Sequence, residues 1–316
     1  MVKQLSFPRK RESDPRMRED DIFDQIGHTP LVRLRNIGRE YAGVALFAKL
    51  EWFNPGGSVK DRAAAGIVAA AEQAGLLRPG RTLLDASSGN TALAYAMICA
   101  AKGYPVKLCV PSNASPEVLR TLRAFGADLV LTNPLEGSDG AIREARRLAA
   151  EYPERYYYAD QYNNPANWQA HYQTTGPEIW DQTQGEVTHL TGGLGTSGTL
   201  MGTGRFLKEQ NPSLQVAAIQ PDSPLHGLEG LKHMATSIVP GIYDPAFPDL
   251  QIEIKTEEAY GMVQRLAREE GLLAGISSGA AAAAGLKIAS TVQQAAVVMI
   301  FPDGGARYLN EEFWKQ

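Results

Sequence analysis

Lys60 occupies a position from which a lysine could act as a nucleophile. The segment around it reads NPGGSVKDR (residues 54–62) and combines turn residues with the start of a helix. Ser58 and Asp61 form an S-x-x-D helix-start pattern, so Lys60 falls in the first turn. A cation there opposes the positive end of the helix dipole, which lowers its pKa, and a neutral amine is what Schiff-base chemistry requires. On this segment alone, a lysine that simply reaches water remains the alternative.

Residues 87–91 could bind a small anion. They read SSGNT, follow the apolar run Thr82–Ala86 and lead into an alanine-rich segment. Hydroxyls, a side-chain amide and the free N–H groups of a helix start together favour a carboxylate. An ordinary polar helix cap explains the same residues equally well.

A glycine-rich loop provides the strongest signal for a phosphate. Residues 191–199 read TGGLGTSGT and contain no lysine or arginine. Glycines let the backbone approach a bound group, and Thr196, Ser197 and Thr199 add hydroxyl donors. The loop would therefore hold a phosphate through dipoles, without a cation.

Two further glycine patterns match known motifs only in part. Residues 193–198 form a G-x-G-x-x-G sequence, but a dinucleotide site also needs an acidic residue about 20 positions on, at the end of the next strand. That strand ends in Gln220, and Asp222 comes slightly late. Residues 75–82 nearly form a P-loop, but Arg81 replaces the lysine and the segment precedes a strand that a P-loop should follow. The first match is weak, and the second is better explained as a helix end and a loop.

The segment GISSG (275–279) has the pattern of a serine-hydrolase elbow. That function needs an acid and then a histidine downstream of the serine. None of the five histidines follows Ser277, which leaves the hydrolase hypothesis almost without support. The scattered histidines and the lack of paired cysteines provide no metal-ligand spacing, so no metal is expected.

The elements that must carry these residues alternate between strand-like and helical patterns. Extended apolar runs occur at Val44–Glu51, Thr82–Ala86, Val106–Val110, Asp128–Thr132, Tyr156–Asp160, Val187–Thr191, Leu214–Gln220 and Ala295–Phe301. Helical segments occur at Val59–Ala74, Ala92–Lys102, Pro116–Phe125, Gly137–Glu151, Leu200–Glu209 and Thr256–Glu270. This alternation predicts an α/β protein with mainly parallel strands, helices on both faces and two sheets. Ligands of such sheets bind beyond the carboxyl ends of the strands, which is where the motifs lie.

Length and composition narrow the class of protein. The chain has 316 residues, a net charge of −4, 44% hydrophobic and 21% charged residues. It is long enough to bury a full core, and it lacks the basic surplus of a general nucleic-acid binder. The longest apolar run, Ala92–Ala101, is far too short to span a bilayer, so no membrane partner is expected. Glycine is above average at 31 residues, and its clusters coincide with the motifs above.

The cysteines and the first twenty residues bear on the cellular location. Cys99 and Cys109 lie in apolar runs, which favours buried free thiols over a disulfide and is compatible with a cytoplasmic protein. Residues 1–20 alternate basic and acidic side chains and lack the apolar core of about 7–15 residues that a signal peptide needs. We expect a disordered leader there; a contact arm around Lys10 and a true start at Met17 are the alternatives.

Taken in order, the motifs resemble those of the cysteine synthase family, pyridoxal-phosphate enzymes of fold type II. The shared segments are NPGGSVKDR (54–62), SSGNT (87–91), GLGTSGT (193–199), GISSG (275–279), IGHTPLV (26–32), TTGPEIW (174–180) and RYL (307–309). The resemblance covers about residues 22–310 and is greatest to the B-type isozyme, because of DQYNNP (160–165) and the short stretch between Gln220 and Tyr243. It implies two three-layer α/β/α domains with mainly parallel sheets, similar to the tryptophan synthase β fold.

The resemblance also implies roles for individual residues. Lys60 would form the Schiff base with the cofactor pyridoxal 5′-phosphate, Asn90 would bond the cofactor's 3′-oxygen, and Ser277 would face its pyridine nitrogen. The phosphate would be held by Gly195, Thr196, Ser197, Gly198 and Thr199. The α-carboxylate of the substrate would be bound by Ser87, Ser88, Thr91 and Gln161.

The implied reaction is a transfer that makes cysteine. A hydroxyl opposite the ring nitrogen leaves that nitrogen largely unprotonated, which disfavours long-lived carbanions and favours β-elimination. O-acetyl-L-serine or O-phospho-L-serine would lose its leaving group after Lys60 removes the α-proton, and sulfide or thiosulfate would add to the resulting aminoacrylate. The alternatives are a cystathionine β-synthase, a diaminopropionate synthase, or an inactive homologue with a regulatory role, against which an intact Lys60 argues.

Three positions depart from the family pattern. Ser87 stands where the family usually has threonine and Ala92 where it has glycine, which suggests a slightly looser pocket and adjusted packing. Lys232 stands where B-type and phosphoserine-using relatives carry arginine. A cation there could meet a phosphate leaving group or thiosulfate, although lysine cannot bind either in the bidentate way. A surface lysine without this role fits the sequence as well.

The resemblance and the polar interruption at 161–167 together suggest a domain organisation. We expect an N-terminal domain at 21–160, a C-terminal phosphate-binding domain at 161–316, and packing of 21–52 on the latter. A smaller mobile subdomain, about 53–160, would carry Lys60 and Asn90. The family further implies a homodimer that acts on a small-molecule amino acid and a sulfur donor.

Overall fold

The computed structural model describes residues 21–315. Its strands are β1 (Leu31–Arg33), β2 (Val44–Leu50), β3 (Thr82–Ala86), β4 (Val106–Pro111), β5 (Asp128–Thr132), β6 (Tyr156–Tyr158), β7 (His189–Gly193), β8 (Gln215–Pro221), β9 (Leu250–Ile254) and β10 (Ala295–Phe301). Its helices are α1 (Lys60–Gln73), α2 (Asn90–Lys102), α3 (Pro116–Ala124), α4 (Gly137–Glu151), α5 (Pro165–Gln173), α6 (Thr175–Gln182), α7 (Gly198–Gln210), α8 (Thr256–Glu270) and α9 (Ile276–Ala289). The expected leader, residues 1–20, lies outside the described residues.

The larger sheet is a middle layer between two sets of helices. Its six strands run in the order β1-β2-β10-β7-β8-β9, and only β1 pairs antiparallel. Along β10, Val297, Met299 and Phe301 pack in the core that includes α8 and α9. The alternate residues Val298 and Ile300 pack in the core on the opposite face, which includes α6 and α7. This alternation is expected for a strand covered on both faces.

The smaller sheet has the same three-layer construction. Its four strands run in the order β5-β4-β3-β6, and all neighbours are parallel. Leu83 of β3 packs on one face with Ile67 of α1 and Ile98 of α2. Leu84 packs on the other face with Ile142 of α4. The predicted fold class, with two mainly parallel sheets inside layers of helices, is confirmed.

Most elements follow the sequence pattern, and the exceptions have physical causes. β3, β5, β10, α4 and α8 have the predicted bounds, whereas β7 begins two residues later than predicted because its pairing with β10 begins at His189. The sequence pattern did not predict β1, β9, α5, α6 or α9. Helix α9 is alanine-rich and buried along most of its length, so it shows no polar face. Strand β9 is a half-exposed edge strand with weak alternation.

Two sequence expectations about the whole chain can be compared with this fold. Both cysteines are buried free thiols, and burial raises the pKa of Cys99 and of Cys109 to about 12. Within residues 21–315, no helix is long and apolar enough to cross a membrane.

Candidate active site

A cavity of about 290 Å³ lies where the loops after β3, β7 and β10 meet the start of α1. Most of the residues that the sequence singled out line it: Lys60, Ser87, Ser88, Asn90, Thr91, Gln161, Gly195, Thr196, Ser197, Thr199, Lys232 and Ser277. Gly198, the first residue of α7, stands between Ser197 and Thr199, which both line the cavity. Segments that are far apart in the sequence therefore form one site.

The start of α1 is attached to the end of β10. The Val59 N–H donates to the Pro302 carbonyl at 2.8 Å, and Ser58 forms a β-bridge with Asp303. The Ser58 hydroxyl also accepts a hydrogen bond from the Lys60 N–H at 3.3 Å, as the helix-start pattern suggests. These contacts fix the backbone from which the Lys60 side chain enters the cavity.

The Lys60 amine has a lowered pKa. Burial is the main cause, since it penalises the ammonium form, while the negative charges of Asp303 and Glu51 act in the opposite direction. The position of Lys60 in the first turn of a helix predicted the same direction. Burial makes the amine easier to deprotonate.

Residues 87–89 connect β3 to α2, which begins with Asn90 and Thr91, and Thr91 lies beside Gln161. The Thr91 hydroxyl donates to Gln161 Oε1 at 2.8 Å, and Gln161 Nε2 donates to the Ala86 carbonyl at 2.9 Å. Thr91 and Gln161 are buried, whereas Ser88 is exposed and Ser87 is half-buried. The Ser87 hydroxyl accepts from the Gly89 N–H at 3.3 Å. The polar groups of Thr91 and Gln161 and the hydroxyls of Ser87 and Ser88 thus line one end of the cavity.

The glycine loop after β7 has no room for side chains where it packs most closely. A Cβ on Gly195 would overlap the Gly230 carbonyl, and a Cβ on Gly198 would overlap the Asn167 side chain. Ser197 has a φ of 73°, and its Oγ is buried without a hydrogen-bond partner among the described residues. The loop therefore presents a buried hydroxyl and the start of α7 to the cavity, an arrangement that suits an anion.

Two residues that support this loop were missed by the sequence analysis. Asn167 Nδ2 donates to Thr196 Oγ1 at 3.1 Å, and His171 Nε2 lies 3.2 Å from Thr199 Oγ1. Burial lowers the pKa of His171 well below its ordinary value, so its ring is neutral. Both lie on α5, a helix with no clear apolar periodicity in its sequence, which left no signal for their role.

Ser277 and Asp303 form the wall at the end of β10. Ser277 is the second residue of α9 and is buried where it lines the cavity. Asp303 is 1% exposed, and burial raises its pKa. Ser277 belongs to a motif, whereas Asp303 stands in a P-D-G segment in which an aspartate is typical of a turn, so its position in the site could not be predicted.

Lys232 lies in the cavity wall and is 8% exposed, so it is not a surface lysine. Its Nζ donates to Asp139 Oδ1 at 3.2 Å and lies 5.2 Å from the centre of the Tyr162 ring. Asp139 also accepts from the Ile238 N–H at 3.3 Å. An acidic residue near the start of α4 therefore pairs with the cation and binds its loop.

The donor set fits a phosphorylated aldehyde cofactor. A desolvated amine is the group that condenses with an aldehyde, and Lys60 provides it. The unpartnered Ser197 hydroxyl and the start of α7 provide donors for a phosphate without a cation.

Comparison with known proteins points to the same cofactor. The model of the family "Pyridoxal-phosphate dependent enzyme" matches residues 22–303. The chain is 49% identical to a cysteine synthase of Aquifex aeolicus, over 93% of this chain and 92% of that protein. It is 43% identical to cysteine synthase B of Pseudomonas aeruginosa, over 92% of this chain and 95% of that protein.

A solved structure agrees with these sequence relatives. The crystal structure of a cysteine synthase from Entamoeba histolytica superposes with a TM-score of 0.90 at 37% identity, covering 99% of this chain and 94% of that one. The chain belongs to the family of pyridoxal-phosphate-dependent enzymes, and pyridoxal 5′-phosphate is its cofactor.

Proposed function

We propose that this protein is a cysteine synthase, which replaces the β-substituent of an activated L-serine by a sulfur nucleophile. The observation that carries the proposal is the position of the desolvated Lys60 amine in one cavity with the SSGNT loop and the glycine loop. The names of the sequence relatives and of the superposed structure support the same activity.

Each group in the cavity has a proposed part in the reaction. Pyridoxal phosphate, when bound, supplies an electron-withdrawing ring that acidifies the α-carbon of an attached amino acid. Lys60 would hold the cofactor, and its free amine would take the proton from the α-carbon of the substrate, a role that its lowered pKa favours. The residues proposed to hold the cofactor are Lys60, Asn90, Gly195, Thr196, Ser197, Gly198, Thr199 and Ser277.

The SSGNT loop is the proposed binding site for the α-carboxylate of the substrate. Thr91 and Gln161 are held by their mutual hydrogen bond, which keeps both polar groups oriented before the substrate arrives. Ser87 and Ser88 add hydroxyls that can turn to donate. A carboxylate held there directs the rest of the amino acid toward Lys60.

Ser277 is proposed to face the pyridine nitrogen of the cofactor. A hydroxyl can share a hydrogen bond with that nitrogen but cannot provide the negative charge that would keep it protonated. Ser277 would thereby leave the ring a moderate electron sink, which would favour loss of a β-substituent over racemisation or transamination.

Lys232 is the proposed contact for an anionic leaving group or sulfur donor. It is one of the cations that line the cavity, and its Nζ is paired with Asp139 at 3.2 Å. The carboxylate offsets part of its charge, so O-acetylserine with sulfide is the substrate pair we favour over O-phosphoserine or thiosulfate.

The remaining proposals concern the whole protein. The strands of the smaller sheet all lie between residues 82 and 158, which supports a smaller unit at about 53–160 that moves relative to the rest. The start of α1, which Val59 and Ser58 join to the end of β10, would remain attached to the larger sheet during this motion. We also propose a cytoplasmic homodimer. Leu273 is 40% exposed and lies beside Gly304 and Gly305, and Phe53 is 58% exposed and follows Trp52, which also lies beside Gly304. A second copy could cover both exposed side chains. Light scattering on the purified protein measures this state, and a monomer at micromolar concentration would contradict the dimer.

The activity is tested by supplying O-acetylserine or O-phosphoserine with sulfide or thiosulfate and identifying the product by mass spectrometry. We expect cysteine from O-acetylserine and sulfide, and at least about a thousandfold loss in Lys60→Ala. Homocysteine and ammonia serve as competing nucleophiles. Preferred formation of cystathionine or of diaminopropionate would replace the proposal by one of those activities. A wild-type protein without a visible cofactor band would leave the regulatory homologue as the better explanation.

A further inference from the structure

Asp303 lies at the edge of the cavity, and its carboxylate group is buried. Its Oδ2 accepts hydrogen bonds from Asn90 Nδ2 and from the Tyr308 hydroxyl, each at 2.7 Å. Its Oδ1 is buried and has no partner among the described residues. Gly275 lies against that oxygen, since a Cβ there would overlap it. The carboxyl group is thus held in one orientation by two donors and by close packing.

Arg307 contacts the opposite side of the Asn90 amide. Its Nη1 donates to Asn90 Oδ1, and its Nη2 donates to the Gly56 carbonyl at 2.7 Å. A guanidinium group has only donors, and the Asp303 oxygen that faces Asn90 belongs to a carboxylate, which has only acceptors. The Asn90 amide can satisfy both neighbours only with Oδ1 toward Arg307 and Nδ2 toward Asp303. One of the two Nδ2 hydrogens then remains for an acceptor in the cavity that Asn90 lines.

The backbone of Asp303 joins the other segments of the site. Its carbonyl accepts from the Gly275 N–H at 3.0 Å and from Ser278 Oγ at 3.4 Å. Its residue also forms the β-bridge with Ser58, two positions before Lys60. The starts of α1, α2 and α9 therefore all contact Asp303, the second residue after β10.

We propose that Asp303, together with Arg307, is a positioning residue that holds the Asn90 carboxamide so that its free Nδ2 hydrogen points to an oxygen of the cofactor ring. The inference rests on the proposed contact between Asn90 and the cofactor. Neither Asp303 nor Arg307 needs to touch the cofactor for this effect. Without Asp303 as the acceptor and Arg307 as the donor, the Asn90 amide could rotate by 180° and present Oδ1 to the cavity. Oδ1 would then repel the cofactor oxygen that Nδ2 should bind.

The test measures the affinity of the protein for pyridoxal phosphate by dialysing the holoenzyme against a series of cofactor concentrations. Asp303→Ala should raise the dissociation constant about tenfold and shift the visible absorbance maximum. The reason is that the charge-assisted hydrogen bond that holds the Asn90 amide in one orientation is lost. Asp303→Asn retains an acceptor and should restore most of the affinity. Arg307→Met, a change at an exposed side chain, tests the other neighbour of the amide and should have an effect in the same direction.

A double-mutant cycle with Asn90→Ala separates positioning from general packing. If Asp303 acts through Asn90, Asp303→Ala should change the dissociation constant less than about twofold in the Asn90→Ala background. Equal effects in both backgrounds would overturn the proposal. Tyr308→Phe is the matched control, because it removes the second donor to the same oxygen and leaves the Asn90 contact in place. An effect of Tyr308→Phe as large as that of Asp303→Ala would equally count against the proposal.

The outcome is independent of the reaction that the enzyme performs, since no substrate is present. A failure to make cysteine would reject the proposed activity and leave this measurement intact. Conversely, if Asn90→Ala binds the cofactor as tightly as the wild type, the Asn90 contact and the inference built on it are both wrong.

Discussion

Lys232 and Asp139 show how one carboxylate can adjust the charge of a binding site. The pair lies in the cavity wall, and the two atoms are 3.2 Å apart. We expect Lys232→Ala to lower turnover with O-phosphoserine or thiosulfate about tenfold more than turnover with O-acetylserine and sulfide. The reason is that only the phosphate group and thiosulfate bring a multiply charged oxyanion that can accept hydrogen bonds from the Lys232 ammonium group.

Asp139→Asn provides the matched control for this prediction. It removes the competing negative charge and keeps the side-chain volume, so kcat/KM for O-phosphoserine should rise by about fivefold while that for O-acetylserine changes little. Steady-state kinetics on both substrates in both variants measure the difference. Equal changes on every substrate pair would show that neither charge contributes to the choice.

Asp85 is a second residue whose environment has a measurable consequence. Its carboxylate is fully buried, although it accepts hydrogen bonds from the Ala86 and Gln161 N–H groups, and burial raises its pKa to about 7. In the unfolded chain the group loses its proton near its ordinary pKa of 3.8. Between these two values the folded state binds more protons, so this residue makes the free energy of unfolding fall as pH rises.

We expect Asp85→Asn to reduce that dependence, by up to about 1.4 kcal/mol per pH unit between about pH 4 and about pH 7. Urea unfolding at several pH values, with wild type and variant in the same buffers, measures the slope. Parallel pH profiles for the two proteins would mean that Asp85 titrates normally in the fold.

At the scale of elements, the start of α7 depends on a close approach to α5. Gly198 has no Cβ where the Asn167 side chain lies, and Asn167 in turn binds Thr196 in the glycine loop. Gly198→Ala should push the two helices apart and weaken cofactor binding by at least about tenfold, since the donors for the phosphate move with the helix start. Equilibrium dialysis with pyridoxal phosphate measures the effect.

Gly261 in α8 serves as the control for this substitution. It is exposed, and a Cβ there would have no neighbour within 4 Å among residues 21–315. Gly261→Ala should leave cofactor affinity unchanged and raise the free energy of unfolding by about 0.5–1 kcal/mol, as expected for a helix interior. Cofactor binding of Gly198→Ala at the wild-type level would contradict the role of the close approach.

The elements also show what the sequence can and cannot predict. Strands such as β10 and helices such as α4 have strong local patterns, and the motif loops follow them, so the fold class and the three polar loops of the cavity could be anticipated. Helix α9 has no polar face and α5 no clear periodicity, so neither was expected. The roles of Asp303, Asn167 and His171 depend on contacts across the fold, which residue order alone does not contain.

At the scale of the whole molecule, a buried ionic network connects α1 to the larger sheet. Arg62 donates to both oxygens of Glu51 at 2.7 and 2.9 Å and to both oxygens of Glu178 at 2.7 and 2.8 Å. Lys49 donates to Glu178 at 2.6 Å and to the Thr29 carbonyl at 2.7 Å. Burial alone would raise the pKa of Glu178, but Arg62 and Lys49 lower it to about 2, so the carboxylate stays charged. The network therefore attaches the helix that carries Lys60 to β2 and α6.

Arg62→Met should reduce the free energy of unfolding by about 3–5 kcal/mol, because it leaves two carboxylates buried with less compensation. Arg62→Lys keeps the charge but not the fork of donors, and we expect a smaller loss. Chemical unfolding of the holoenzyme variants measures both values. A loss below about 1 kcal/mol in Arg62→Met would show that the network adds little to stability.

The same network has a consequence for the divergence of this chain. Its four ionic side chains, Lys49, Glu51, Arg62 and Glu178, sum to zero charge in a region with almost no access to water. Any single replacement leaves a charge without its counterpart, so a lineage that loses one member must soon change another or lose fitness. We expect the four positions to covary or to stay unchanged among homologues, although they are spread over the 130 positions from residue 49 to residue 178. Aligned relatives in which these four positions change independently of one another would contradict this expectation.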